Sequence, residues 1–216
     1  MLPSDDFRSR ALAAAQRAPL VTRRAVRFRN TALFVSGFMV PVGLFLVSGG
    51  ARPGGRPDVL MTETAVGAAA IALTMLVLAT ARGRSTLGRS GSLLFALAIL
   101  APVAMFAWKY LVSSRFPGMT DAAPDRPGFR CLELSGLLSA WPLVALVMTR
   151  RGTDPVHPHL TGAAIGAAVG ACAWVFVDLW CAVAYVPHLL LGHVLPLVAC
   201  TLVGAALGEV IALRGR

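Results

Sequence analysis

The chain has 216 residues, 56% of them hydrophobic and only 14% charged, where a soluble domain carries about 25% charge. Long uncharged runs fill most of its length and leave no room for a separate globular domain of ordinary size. The net charge of +10 is almost all arginine, but those arginines flank apolar runs and do not cover one face of a soluble fold, which argues against direct nucleic-acid binding.

Residues 1–30 read as a cytoplasmic N-terminal segment. Ser4 can cap a short helix with Asp5 and Asp6 in its first turn, and Phe7, Ala11, Leu12 and Ala15 fall on one helical face. Pro19 ends that helix, and the basic run Arg23, Arg24, Arg27 and Arg29 follows next to the membrane. No cleavable signal peptide is expected, because the first apolar run begins only at Thr31 and lacks an Ala-x-Ala exit.

A helix needs about 20 apolar residues to cross a bilayer, and six such runs make up 31–213. They are placed at 31–48, 62–80, 92–112, 131–149, 160–180 and 189–212, with Pro41 and Pro102 inside the first and third. The expected fold is all-α, a polytopic transmembrane bundle of six helices. Fourteen of the twenty lysines and arginines fall on one side of these spans and six on the other. The positive-inside rule then places the richer side, with both the N- and C-termini, in the cytoplasm. The loop 113–130, rich in proline and aspartate, becomes the longest external loop.

Gly162, Gly166 and Gly170 in span five, and Gly204 and Gly208 in span six, repeat the GxxxG spacing that lets helix backbones approach closely. Packing within the bundle is the expected use, with a homodimer as the alternative.

Ionisable groups within spans are candidate functional groups. Lys109 lies near the end of span three and is expected to snorkel to the surface. Glu133 is expected to be interfacial, and Glu209 to be hydrated or paired with Arg214. Asp178 stands apart because it has company: Cys181 is three residues on, on the same face if the helix continues. His188 and His193 follow across a short turn, and Cys131 opens span four. All five are expected on the external side at similar depth.

Thiolate, imidazole and carboxylate are ligands for zinc or copper, so Cys131, Asp178, Cys181, His188 and His193 form a candidate metal set. The two thiols can equally form a disulfide, because the compartment outside the inner membrane is oxidising. A regular helix would place His188 and His193 about 140° apart, a poor arrangement for shared ligation. Cys172 and Cys200 read as small buried packing residues. His157 and His159 form an isolated HxH pair in a cytoplasmic loop, a weak metal signal.

No nucleophile elbow, phosphate-binding loop, zinc-protease motif or paired carboxylates occur, so nothing favours an enzyme. A transporter or channel subunit with Asp178 as its ion site is an alternative, although no inverted repeat or matched pair of broken helices is visible. A membrane chaperone or assembly factor is a third reading.

Several features of the second half, over roughly 125–213, resemble the NrsF family, the negative regulators of sigma F. They are Cys131 opening span four, Trp141-Pro142 within it, Arg150-Arg151-Gly152, the glycine-alanine run 162–171, Cys181, and the GxxxG of span six. The first three spans match in number and hydrophobicity. The resemblance implies a six-span anti-sigma factor that holds an extracytoplasmic-function sigma factor through its cytoplasmic N-terminal segment. Within that segment Phe7, Arg8 and Leu12, on the basic and partly amphipathic lead, are the candidate contacts. The resemblance further implies that Cys131 and Cys181 sense heavy-metal or oxidative stress on the periplasmic side. The basic lead would otherwise serve to fix topology and bind anionic membrane lipid. His188, His193 and the two further cysteines depart from the family pattern and leave the nature of the signal open.

Overall fold

The computed structural model describes residues 22–52, 57–80, 90–123, 125–151 and 156–213. Among these, six helices are long and apolar enough to cross a membrane, and no strand occurs. The first five are α1 (Arg23–Val47), α2 (Asp58–Thr80), α3 (Gly91–Ser113), α4 (Phe129–Met148) and α5 (Pro158–Asp178). The sixth, α6, is composite. It starts as Val186–Leu189, passes through a π-helical turn at Leu190–Val194 and continues as Leu195–Leu213. The chain is thus a multi-pass membrane protein. The N-terminal contacts expected at Phe7, Arg8 and Leu12 lie outside the described residues.

The helices start where local chemistry permits. The Thr22 hydroxyl accepts from the Ala25 N–H and caps α1. Ser90 does the same for α3 through Leu93, each satisfying an N–H that the first turn leaves unpaired. Pro158 opens α5 at a position where a missing N–H costs nothing. Helix α1 begins within the basic run, well before the apolar span anticipated from 31, because its first turns are helical but not apolar.

The hub of the bundle is α5. Most of its residues from Gly162 to Asp178 are buried, whereas α1 is largely exposed on the outside of the bundle. It packs against α2, α3, α4 and, most extensively, α6. Glycine permits that contact. A Cβ on Gly162 would land on the Gly204 carbonyl oxygen, one on Gly166 on the Cys200 carbonyl, and one on Gly208 on the Pro158 carbonyl. The tandem GxxxG units therefore face each other within one chain. Around this pair, Ala68, Ala72, Leu94, Ala101, Met105, Leu146, Ile165 and Trp174 form the main apolar core. Without a hydrophobic drive between helices in lipid, such close packing is what holds them together.

Helix α1 is the outermost and rests on α4. Gly37 meets Ala145 and Pro142, and the Trp141 indole N–H donates to the Ser36 hydroxyl at 3.2 Å. At the opposite end from the connections that follow α1, α3 and α5, Arg150 donates to the carbonyls of Ala79 and Thr80. It satisfies the acceptors that the end of α2 leaves free.

The packing sets a clear contrast between two glycines. Gly166→Ala places a methyl on a backbone carbonyl and is expected to destabilise the protein by about 1–3 kcal/mol. A Cβ on Gly136 meets nothing within 4 Å, so Gly136→Ala should leave stability unchanged or raise it by up to about 1 kcal/mol. Thermal unfolding of both variants in mild detergent measures the difference.

Candidate functional site

Three chain segments meet at the end of the bundle where α5 stops and α4 and α6 begin. Cys131 lies in the first turn of α4, directly after Gly128, whose φ of +103° is open to glycine. A Cβ on Gly128 would press on the Gly192 nitrogen and the His188 carbonyl, and one on Gly192 on Cys131 Cβ. These two glycines let the start of α4 sit directly against the first turns of α6.

The second segment is the α5–α6 connection. Helix α5 ends at Asp178, two residues before the expected boundary, and Leu179 and Trp180 make a final turn. From Cys181 to Tyr185 the backbone has no regular structure. Asp178 and Cys181 therefore do not share a helix, contrary to the spacing argument. Cys181 is held by its own N–H, which donates to the Val177 carbonyl at 2.8 Å. The Ala184 N–H donates to Met119 and the Arg52 N–H to Leu179. The Arg52 guanidinium lies 4.8 Å from the Trp180 ring centroid, a cation–π contact over this connection.

The third segment supplies the histidines. On a regular helix His188 and His193 would diverge, yet their ring centroids are 5.6 Å apart. The π turn explains this. The Leu195 N–H bonds the Leu190 carbonyl, five residues back, and in such a turn residues five apart return to nearly the same face. Pro196 accounts for the irregularity: it has no N–H for the Gly192 carbonyl, and its ring crowds that carbonyl, so the preceding turn widens. A proline three residues after His193 was the sequence signal for this geometry.

Cys131, Cys181, His188 and His193 are all buried, and their ligand atoms lie within 4.8 Å of one another. His188 Nε2 is 3.1 Å from Cys181 Sγ and 3.5 Å from Cys131 Sγ. His188 Nδ1 is 2.6 Å from the Arg126 carbonyl oxygen. A carbonyl can only accept, so Nδ1 carries the proton and Nε2 turns a lone pair towards the thiols. His193 is 1% exposed, and neither of its ring nitrogens makes a hydrogen bond of regular geometry among the described residues. Its ring packs against Trp174 with centroids 5.0 Å apart. Both cysteines are free thiols.

Asp178 stands outside this group of four. Its Oδ1 is 2.5 Å from Lys109 Nζ, with side-chain exposures of 1% and 2%. Lys109 was expected to reach the surface, and here the structure corrects the sequence reading. It turns inward because α3 packs on α5, and Asp178 offers a countercharge that makes burial tolerable. The signal was available: two opposite charges lie in different spans near the same end of the bundle.

The other candidates lie elsewhere. Cys200 is buried and its thiol donates to Ser139 Oγ at 3.1 Å. Cys172 is only half-buried, so it fits the packing role less fully than expected. Glu133 is exposed. Glu209 lies 3.9 Å from His159 Nδ1, and Arg214 lies outside the described residues. His157 sits beside Gly91, and the HxH pair takes no part in the cluster.

The fold and site define a six-span helical membrane protein with a buried thiol–imidazole cluster at one end. The family model for NrsF, the negative regulator of sigma F, matches residues 14–214. The chain therefore belongs to the NrsF family, and the match extends through the first three spans as well as the second half. Among curated proteins and solved structures, none matches the chain.

Removing one member of a buried ion pair strands the other. Lys109→Met should destabilise the protein by about 3–5 kcal/mol. Lys109→Met combined with Asp178→Asn, which leaves no buried charge, should recover most of that loss. Detergent-phase unfolding curves check this, and a double variant no more stable than Lys109→Met would refute the pairing.

Proposed function

We propose that this protein is an anti-sigma factor of the bacterial inner membrane. It sequesters an extracytoplasmic-function sigma factor and releases it when envelope metal or oxidising stress acts on Cys131 and Cys181. Membership of a family of sigma-factor negative regulators supports the partner class. The observation that carries the sensing role is the convergence of two buried thiols with two buried imidazoles at one end of the bundle.

The arginine bias favours a periplasmic location for that end, where metal ions and oxidants arrive first and where disulfides persist. The N-terminal segment then lies in the cytoplasm with the sigma factor. The two cysteines come from separate elements, one in α4 and one in the α5–α6 connection. Any bond that joins them, through a metal or as a disulfide, fixes those elements relative to each other.

The packing offers a route from site to partner. Helix α4 carries Cys131 and is the main support of α1, which leads directly from the N-terminal segment. The Arg29 side chain also donates to the Arg151 carbonyl, linking the cytoplasmic ends of α1 and α4. A small displacement of α4 reaches the sigma-binding segment through this contact. The Lys109–Asp178 pair counts against the transporter reading, since the carboxylate is already neutralised by a neighbour.

The combined change Cys131→Ser and Cys181→Ser should leave repression intact and abolish release under metal or oxidant stress, as read by a sigma-dependent reporter; an undiminished response would remove these residues from sensing. Deleting residues 2–18 while keeping Arg23 to Arg29 should preserve insertion but lose co-purification of the sigma factor in mild detergent. Retained binding would place the contact elsewhere.

A further inference from the structure

We infer that Cys131, Cys181, His188 and His193 together form a closed tetrahedral binding site for a zinc-class divalent cation, with both histidines as ligands. This rests on the reading of Cys131 and Cys181 as the responsive pair and adds what they respond through.

The geometry comes first. A tetrahedral centre with metal–sulfur bonds of about 2.3 Å and metal–nitrogen bonds of about 2.0–2.1 Å has ligand–ligand edges of about 3.3–3.8 Å. The His188 Nε2 to sulfur separations are 3.1 and 3.5 Å, and all four ligand atoms lie within 4.8 Å of one another. Slight adjustment of side chains closes the set. His188 is already oriented as a ligand: the Arg126 carbonyl holds the proton on Nδ1, the outer contact that metal-bound histidines commonly make.

His193 is the second, independent observation. It is a buried imidazole that makes no hydrogen bond of regular geometry among the described residues and instead lies beside the thiols and His188, an incompletely satisfied arrangement that is costly in an apolar bundle. A disulfide between the thiols would leave both imidazoles without a role. A metal ion engages all four side chains.

Charge decides the class of ion. Binding follows Zn²⁺ + 2 Cys–SH → Zn(S–Cys)₂ + 2 H⁺. Two S–H bonds break, two Zn–S bonds form, the protons leave to solvent, and no electron changes hands. The imidazoles are neutral donors, so the loaded site has no net charge, and the nearby Lys109–Asp178 pair is neutral in itself. A monovalent ion with two thiolates would leave a buried negative charge, which a low-dielectric interior disfavours. Calcium and magnesium prefer oxygen ligands. With four protein ligands the site has no open position, which suits a sensor better than a catalyst.

The test uses the full-length protein, reduced and held in mild detergent. Titration with Co²⁺ should give one equivalent of tetrahedral cobalt–thiolate absorption, displaced by Zn²⁺, with two protons released per ion. His188→Ala and His193→Ala should each weaken zinc binding about 100-fold or more, and His157→Ala should leave it unchanged. X-ray absorption on the zinc-loaded parent, which needs no variant to fold, should show two sulfur and two imidazole neighbours.

Zinc held with fewer than two imidazoles, or bound equally well without His193, overturns the site. So does a parent that binds no zinc but closes a Cys131–Cys181 disulfide in full. Sigma-factor retention is scored on the same preparations. Zinc binding in a protein that retains no sigma factor supports the site and sinks the anti-sigma role, whereas sigma retention in a protein that binds no zinc does the reverse.

Discussion

The close contact between α5 and α6 governs the rest of this structure. In lipid, helices gain nothing by hiding apolar side chains from one another, so they associate where backbones can touch. Gly162, Gly166, Gly204 and Gly208 remove the side chains that would keep these two helices apart. With that distance fixed, the short connection from Asp178 to Val186 must fold tightly. Cys181, His188 and His193 are then gathered near the end of α5, and α4 completes the cluster by bringing Cys131 against Gly192.

The chemistry at that end follows from burial. An apolar environment makes each unpaired polar group expensive, and the protein answers with local partners. Lys109 and Asp178 neutralise each other, and His188 is anchored by a backbone carbonyl. His193 is left with Trp174, His188 and the thiols as its neighbours. The site is a compact polar island whose members are supplied by α3, α4, α5, α6 and their connections, so a change at any one of them is felt by several helices.

Much of this could be read from the sequence, because hydropathy and glycine spacing are local signals. The six spans were all found, with ends displaced where helix and apolar run do not coincide, as at Arg23 and Asp178. The glycines of spans five and six marked close packing within the bundle, but that the two spans pack on each other emerged only from the structure. What escaped was non-local or irregular. The pairing of Lys109 with Asp178 depends on which helices are neighbours, which periodicity does not encode. The meeting of His188 and His193 depends on a π turn, and a calculation for a regular helix points the other way. Pro196 held the clue, but its effect on the preceding turn is visible only once the backbone is placed.

The buried ion pair also bears on how the chain is assembled. Lys109 leaves the ribosome with α3, when its future partner has not yet been synthesised. A lone ammonium in a span is costly to insert, but its place near the helix end lets it wait at the headgroup boundary. Only when α5, the last helix but one, arrives with Asp178 can the lysine be drawn inside. Closure of the pair is thus a late event in biogenesis, and it joins the first half of the protein to the second.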